Sequence, residues 1–391
     1  MTSAPGSVTI VGGDVIVSGA IAGRGDLVLD GSLIGAVAID LQMSRGPARR
    51  FDASGLIVAP GFIDAQINGA HGIDVTTEPT RIGELGRELT RYGVTAFLPT
   101  VITCAPERRA AALAADRRGS GGAVPIGLHL EGPMLSRARR GAHPERWLEV
   151  PSTDLIEGWR PAAGVNMVTI APELPNALGV IEQLVGEGVV VSLGHTAAGT
   201  GRIAEAKRAG ATAVTHLFNA MTPFGHRSPG PIGATLADES LIAGLICDGI
   251  HVDPVAVRMA WRALGPDRLL LVTDATAVLG LSSGRHRLGE RDIDVGPAGV
   301  RTDDGTLAGS DLALDQAVRN LVAFTGCGAS EALATVTTTP ARLLRLDDRG
   351  ALEPGRRADV TVLDPELRVV ATFVGGELAH LDPSEAVRWR S

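Results

Sequence analysis

Lysine is almost missing from this chain. Lys207 stands alone among 391 residues, inside Gly201–Gly210 (GRIAEAKRAG), a stretch whose charge and alanine content read as a surface helix. A Schiff-base mechanism therefore has no good amine, and the same lack counts against a metal pair bridged by a modified lysine on a barrel strand. Cysteine is scarce too. Cys104, Cys247 and Cys327 lie far apart without zinc-finger spacing, so a reduced cytoplasmic compartment is expected. There is no GxxxxGKS or GxxxxGKT phosphate loop. The net charge is −8 with no basic tract, which sets nucleic acid aside as a partner. No apolar run approaches the roughly 20 residues that cross a membrane. The opening residues, MTSAPGSVTIVGG, lack the charged and apolar regions of a signal peptide.

What is present is apolar and periodic. The chain is 45% hydrophobic, enough for a large core. Its length suits a barrel of roughly 250 residues plus a smaller unit. Between residues 56 and 273 stand eight short apolar runs, each read as a strand: Leu56–Ile63, Thr95–Ile102, Pro125–Leu130, Asn166–Ile170, Val189–Leu193, Thr212–Thr215, Ile242–Cys247 and Arg268–Thr273. Helix-like segments such as Ile82–Tyr92 and Val255–Leu264 separate them, and Ser310–Ala323 is amphipathic at helical spacing. Eight alternating β/α units predict an α/β fold with a closed (β/α)8 TIM barrel. The two ends differ. Residues 7–58 and 350–380 hold short alternating runs between glycines and predict one small β-sandwich domain built from both termini. The expected division is 1–58 plus 346–391 for the sandwich and 59–345 for the barrel.

The chemistry-bearing residues recur at strand ends, the face where such barrels carry their sites. Within Val189–Gly230 the order is strand, His195, helix, strand, His216. A single strand-end histidine reads first as a structural one satisfied by hydrogen bonds. The same placement twice, one β/α unit apart, favours a pair of metal ligands. Strand three ends in Glu131, strand seven runs into Asp248 and His251, and strand eight ends in Asp274. One carboxylate and two imidazoles leave a fourth position open for water, the usual arrangement of a catalytic zinc site. Asp274 stands where a carboxylate would take a proton from that water and return it to a leaving amine. Its plain alternative is a helix N-cap.

Taken in order, the motifs resemble the N-acetylglucosamine-6-phosphate deacetylase family, within the metal-dependent amidohydrolase superfamily. They are PGFID (Pro60–Asp64), HLEGP (His129–Pro133), GAH (Gly141–His143), GHT (Gly194–Thr196), THLFNAM (Thr215–Met221), HRSPG (His226–Gly230), DGIHVD (Asp248–Asp253) and LVTDAT (Leu271–Thr276). LAGSDL (Leu307–Leu312), TPA (Thr339–Ala341) and PGRRADVTVLD (Pro354–Asp364) continue the match. The resemblance implies hydrolysis of the acetamido group of N-acetylglucosamine 6-phosphate to glucosamine 6-phosphate and acetate. It puts one divalent ion per subunit on Glu131, His195 and His216: zinc first, with Fe2+, Mn2+ and Co2+ as alternatives. It makes Asp274 the general base and then the general acid. It assigns substrate contacts to Ala142, His143, Asn219, Ala220, Arg227, Asp248 and His251, with Leu307, Ala308 and Gly309 closing over the site. It also implies a homodimer in which Arg227 lies near the neighbouring subunit's site. Arg227 suits a phosphate, since a guanidinium binds such oxygens in pairs; taken alone it reads as an exposed loop arginine.

Two departures stand out. Where many amidohydrolases carry His-x-His after PGFID, this chain has Gln66 and Asn68, and Ser228 stands where a glutamate is common in HREPG. Amides are poor zinc ligands, so a single metal is expected, and Ser228 bears on how Arg227 sits. The rivals are a deacetylase of another N-acetyl hexosamine or its phosphate, and a catalytically silent paralogue that binds sugar phosphate. The intact set of Glu131, His195, His216 and Asp274 argues against the silent one, because a binding module needs no base beside a metal triad.

Overall fold

The structure is a computed structural model that describes residues 7–17, 20–40, 49–117, 119, 121–288 and 291–390. Of the expected terminal unit, residues 1–6, 18, 19, 41–48 and 391 lie outside the described residues.

The barrel strands are Phe62–Ile67, Val94–Ile102, Leu128–Glu131, Val165–Ile170, Val190–Leu193, Ala213–Val214, Ile242–Leu245 and Leu269–Leu271. Each pairs in parallel with the next. The ring between strands eight and one is completed by single hydrogen bonds. Asp274 N donates to Gln66 O (2.9 Å) and Asn68 N to Ala275 O (2.7 Å). Asp64 adds a side-chain tie: its carboxylate accepts from Thr273 Oγ1 at 2.6 Å. Burial drives that carboxyl's pKa up to about 7, against the bonds from Thr273 and Gln66.

Three strand expectations and one helix expectation need correction. Leu56–Ile63 is not one strand but parts of two. Ile57–Pro60 belongs to the terminal sheet, and Phe62–Ile67 to the barrel. Gly61 is the hinge between them. A Cβ there would lie 2.1 Å from Thr95 Oγ1, so only glycine lets the chain pass that close. Pro125–Leu130 likewise divides, into Val124–Pro125 and Leu128–Glu131. Arg268 belongs to the preceding helix, Pro254–Arg268, and the eighth strand stops at Leu271. The Ser310 segment becomes helical only at Leu314–Thr325. Its first residue instead bonds to the residues just after strand eight, Ser310 Oγ donating to Thr273 O (2.6 Å) and Ser310 N to Asp274 O (2.9 Å).

Both termini meet in one nine-stranded sheet. Its first strand, Val8–Val17, pairs with Arg49–Asp52 along one half and with Ile57–Pro60 along the other, while its pairing with Ala20–Asp30 on the opposite edge shifts register between Ile10 and Gly13. The sheet therefore folds over its own core, where Phe51 and Phe373 meet edge to face at 5.7 Å. A second small sheet had no counterpart in the sequence reading. Gly284–Leu288, Arg291–Gly296 and Gly299–Thr302 form an antiparallel three-stranded insertion after strand eight. Ile293, Val295 and Val300 bury one face of it with Val278 and Ala308, and Ala142 packs against them. Among the described residues no helix is long and apolar enough to cross a membrane.

Candidate active site

The strand ends turn their functional residues inward by leaving the extended conformation. His195, His216 and Asp274 all have positive φ, at 47°, 28° and 47°. Non-glycine residues hold that conformation only where the surroundings fix it, which is common at functional sites. Gly194 permits the first of these turns. A Cβ on it would lie 2.7 Å from Thr215 Cβ and 2.9 Å from Thr169 Cγ2, inside the neighbouring strand ends.

Glu131, His195 and His216 converge as a buried cluster that could hold a metal ion. His216 Nε2 is 3.1 Å from Glu131 Oε1 and 3.1 Å from His195 Nε2, and His195 Nε2 is 3.3 Å from Glu131 Oε1. Ligand atoms on a tetrahedral zinc, with bonds of about 2.0–2.1 Å, stand about 3.4 Å apart. The triangle therefore fits such an ion. His195 Nδ1 lies 2.9 Å from the Arg139 carbonyl, a contact that puts the proton on Nδ1 and leaves the Nε2 lone pair facing the cluster. Burial would raise the Glu131 carboxyl, but hydrogen bonds and charge from His195, His216 and His143 hold it well below its ordinary range. It is thus an anion within the cluster. His129, two residues earlier, faces the barrel core. Its Nε2 is 2.7 Å from Thr169 Oγ1 and its Nδ1 3.3 Å from Thr100 Oγ1, while burial drives its pKa down to about 4. That histidine is neutral and structural.

Asp274 faces the cluster across the cavity. Asn68 Nδ2 donates to its Oδ1 at 2.7 Å and Gln66 Nε2 at 3.3 Å. Gln66 also donates to Glu131 Oε1 at 3.0 Å. The two amides at the His-x-His positions are thus braces between the carboxylates. Among the described residues Oδ2 has no hydrogen-bond partner. Burial, with the Glu131 charge beside it, raises the Asp274 carboxyl to about 6, against the pull of His216 and Asn68. Asp253, not Asp274, serves as a helix N-cap here, accepting from Val255 N at 2.7 Å.

The surrounding cavity has a volume of about 220 Å3. Ala142, His143, Asn219, Ala220, His251, Leu307, Ala308 and Gly309 all line it, along with the cluster and Asp274. Asp248 and Arg227 do not. Asp248 stands behind His251, its Oδ2 2.6 Å from His251 Nδ1, and sets that ring's orientation. Arg227 is exposed on the turn closed by Gly225 and Ser228. Sequence reasoning passed over Thr103, which follows strand two. Its backbone N–H (3.3 Å) and hydroxyl (2.9 Å) hold His143 Nδ1, leaving Nε2 3.7 Å from Glu131 Oε2. An uncharged strand end gives no signal to a search for ionisable residues. Asp74, Thr76 and Ile102 also line the cavity without having been singled out.

The sequence pattern of the Amidohydrolase family matches residues 57–379. The N-acetylglucosamine-6-phosphate deacetylase of Homo sapiens is 40% identical over 374 residues, 91% of each chain. That of Bacillus subtilis is 34% identical over 336 residues, 83% of this chain and 85% of its own. A solved structure from Mycobacterium smegmatis, a mutant N-acetyl-D-glucosamine-6-phosphate deacetylase in complex with N-acetyl-D-glucosamine-6-phosphate, superposes with a TM-score of 0.87 at 34% identity. The match covers 95% of this chain and 98% of that one.

Proposed function

The chain belongs to the N-acetylglucosamine-6-phosphate deacetylases of the amidohydrolase family, and from that premise we propose how its residues divide the reaction. It hydrolyses the acetamido group of N-acetylglucosamine 6-phosphate, giving glucosamine 6-phosphate and acetate. The observation that carries the residue assignment is the cluster of Glu131, His195 and His216, ligand atoms 3.1–3.3 Å apart, facing the braced carboxyl of Asp274.

Glu131, His195 and His216 would hold one divalent ion, zinc by the fit of the donor set. When bound, the ion supplies a Lewis acid that polarises the amide carbonyl and makes water acidic near neutral pH. Asp274 Oδ2 takes the proton from the attacking water, because Asn68 and Gln66 occupy Oδ1 and aim the other oxygen at the cavity. A carboxyl raised to about 6 by burial takes the proton more readily than an ordinary carboxylate, and still yields it to an amine, which is the stronger base. It passes to the amine as the C–N bond breaks. With Thr103 N–H donating to Nδ1, the His143 ring carries its proton on Nε2, where it stabilises the developing oxyanion. His251, held by Asp248, and the backbone at Asn219-Ala220 bind the sugar side, and Leu307-Ala308-Gly309 covers it. Arg227 binds the phosphate of the neighbouring subunit's substrate in a homodimer. Three free thiols, Cys104, Cys247 and Cys327, suit a cytoplasmic place of work.

The test is acetate release from N-acetylglucosamine 6-phosphate by chelator-stripped protein, with and without zinc. Turnover restored by about one zinc per chain supports the reading. Stoichiometric zinc binding without turnover would keep the metal site and overturn the substrate assignment.

A further inference from the structure

The cavity around the site has a neighbour that adjoins it. A second cavity, of about 310 Å3, shares Asp74, Thr76, Ile102, Ala142 and Ala308 with the first. Only alanine side chains stand at two of those shared positions. Beyond them the second cavity continues past Cys104, Ala105, Trp147 and Ile293. Asp74, Thr76, Thr77, Thr103 and Thr302 line it beside this apolar group, and burial pushes the Cys104 thiol up to about 11, so it stays an uncharged lining group. The exposed residues Arg108, Glu145 and Arg146 mark its outer end.

Its position follows from the barrel. Asn219, Ala220 and His251 stand after strands six and seven, whereas Thr76 follows strand one and Ile102 ends strand two. In a ring of eight, strand two lies opposite strand six. The cluster and Asp274 line the same cavity, at the ends of strands three, five, six and eight. An amide held there has two ends. If the sugar phosphate extends toward strands six and seven, the acyl end points toward strands one and two, into the second cavity.

We propose that the second cavity is an acyl subsite, through which the chain also hydrolyses glucosamine 6-phosphates N-acylated with unbranched chains longer than acetyl. The assignment rests on the reading of the site given above. The chemistry is unchanged: one water is consumed, the C–N bond breaks, the chain leaves as its carboxylate and the sugar as its amine. Ala142 and Ala308 leave room for the chain beside Asp74, Thr76 and Ile102, and Trp147 and Ile293 pack along it. The insertion sheet forms the roof, since Ile293 lies on its middle strand and Ala308 packs in its core.

The experiment compares amine release from N-acetyl-, N-butyryl- and N-hexanoyl-glucosamine 6-phosphate by the zinc-loaded protein. A methylene in an apolar pocket is worth about 10- to 200-fold in specificity. The butyryl compound should therefore keep kcat/KM within about tenfold of acetyl if the cavity accepts it. Ala105→Phe fills the second cavity alone. It should lower kcat/KM for the two longer chains by about tenfold or more and leave acetyl within about twofold. Trp147→Ala widens the same cavity and gives a reading even where Ala105→Phe does not fold. It should raise the hexanoyl-to-acetyl ratio about tenfold. Acetyl turnover with butyryl more than about tenfold worse, an equal loss on all three substrates in Ala105→Phe, or an unchanged ratio in Trp147→Ala would each overturn the subsite. Failure of the wild-type protein on the acetyl compound itself would instead overturn the reading of the site, and the subsite with it.

Discussion

At the scale of single residues, the site depends on which oxygen of one carboxyl is free. Asn68 and Gln66 both donate to Asp274 Oδ1. These were legible in the sequence only as missing histidines, because a spacing motif records what a residue fails to ligate and says nothing of what it braces. The braces make a sharp prediction about Asp274 itself. Asp274→Asn keeps the shape of the side chain but has no base, so substrate should still bind, as seen by calorimetry. Turnover should fall by roughly a hundred- to ten-thousandfold, the range for losing a general acid–base. Near-normal turnover would remove Asp274 from the mechanism. His129 shows the opposite case. It sits in the same HLEGP motif as Glu131, yet hydroxyls from Thr100 and Thr169 satisfy it inside the barrel. Alternation along the strand does not separate the two roles, since residues two apart share a face; only depth in the barrel distinguishes them.

At the scale of elements, strands five and six carry the two imidazoles side by side. Ser192 pairs with Ala213 and Leu193 with Val214. The close approach of Gly194 to Thr215 and Thr169 sets how near the two strand ends come. Gly194→Ala has to push a strand end aside by several tenths of an ångström, moving His195 away from His216. Zinc affinity, measured by competition with a chromogenic chelator, should drop about 10- to 100-fold, as for other disturbances of what supports a ligand. The melting temperature should move by only a few degrees, as for a change of about 1–2 kcal/mol. Unchanged affinity would mean the strand ends tolerate the shift. The insertion Gly284–Thr302 was invisible beforehand for an element-level reason. Its strands are short and charged, and only Ile293, Val295 and Val300 mark the buried face. Three apolar residues at alternate positions, interrupted by glycine turns, read as a polar loop.

At the scale of the whole molecule, the question is whether one chain completes its own site. Arg227 is exposed and does not line the cavity of its own chain. Nearby, Phe224 is exposed, as are Val255 and Met259 on the helix Pro254–Arg268, which packs beside the helix Gly230–Ala237. Large apolar side chains left in water on one side suit a subunit interface. If Arg227 serves the neighbouring site, two inactive variants should rescue each other. Arg227→Ala mixed with Asp274→Asn, dissociated and reassembled at equal amounts, places one intact site in each hybrid dimer. About a quarter of wild-type activity should return. No recovery from the mixture, with hybrids shown to form, would put Arg227 outside the partner's site.

The sequence by itself determined the barrel, the terminal β unit and the order of the strand-end residues. Those depend on local pattern: apolar runs of strand length, helical spacing between them, and ionisable residues where each run stops. It also carried the family, because the motifs keep their residues and their order. Only the tertiary structure decided what those residues touch. Glu131, His195 and His216 are 85 and 64 positions apart at their extremes (216 − 131 and 195 − 131) yet meet at 3.1–3.3 Å, because parallel strand ends bring distant residues to one face. Asp64 tying strand one to strand eight, Thr103 holding His143, and the second cavity beyond Ala142 and Ala308 likewise exist only once the ring closes. Spacing along a chain fixes which face a side chain takes; the distance between two faces is fixed only by packing.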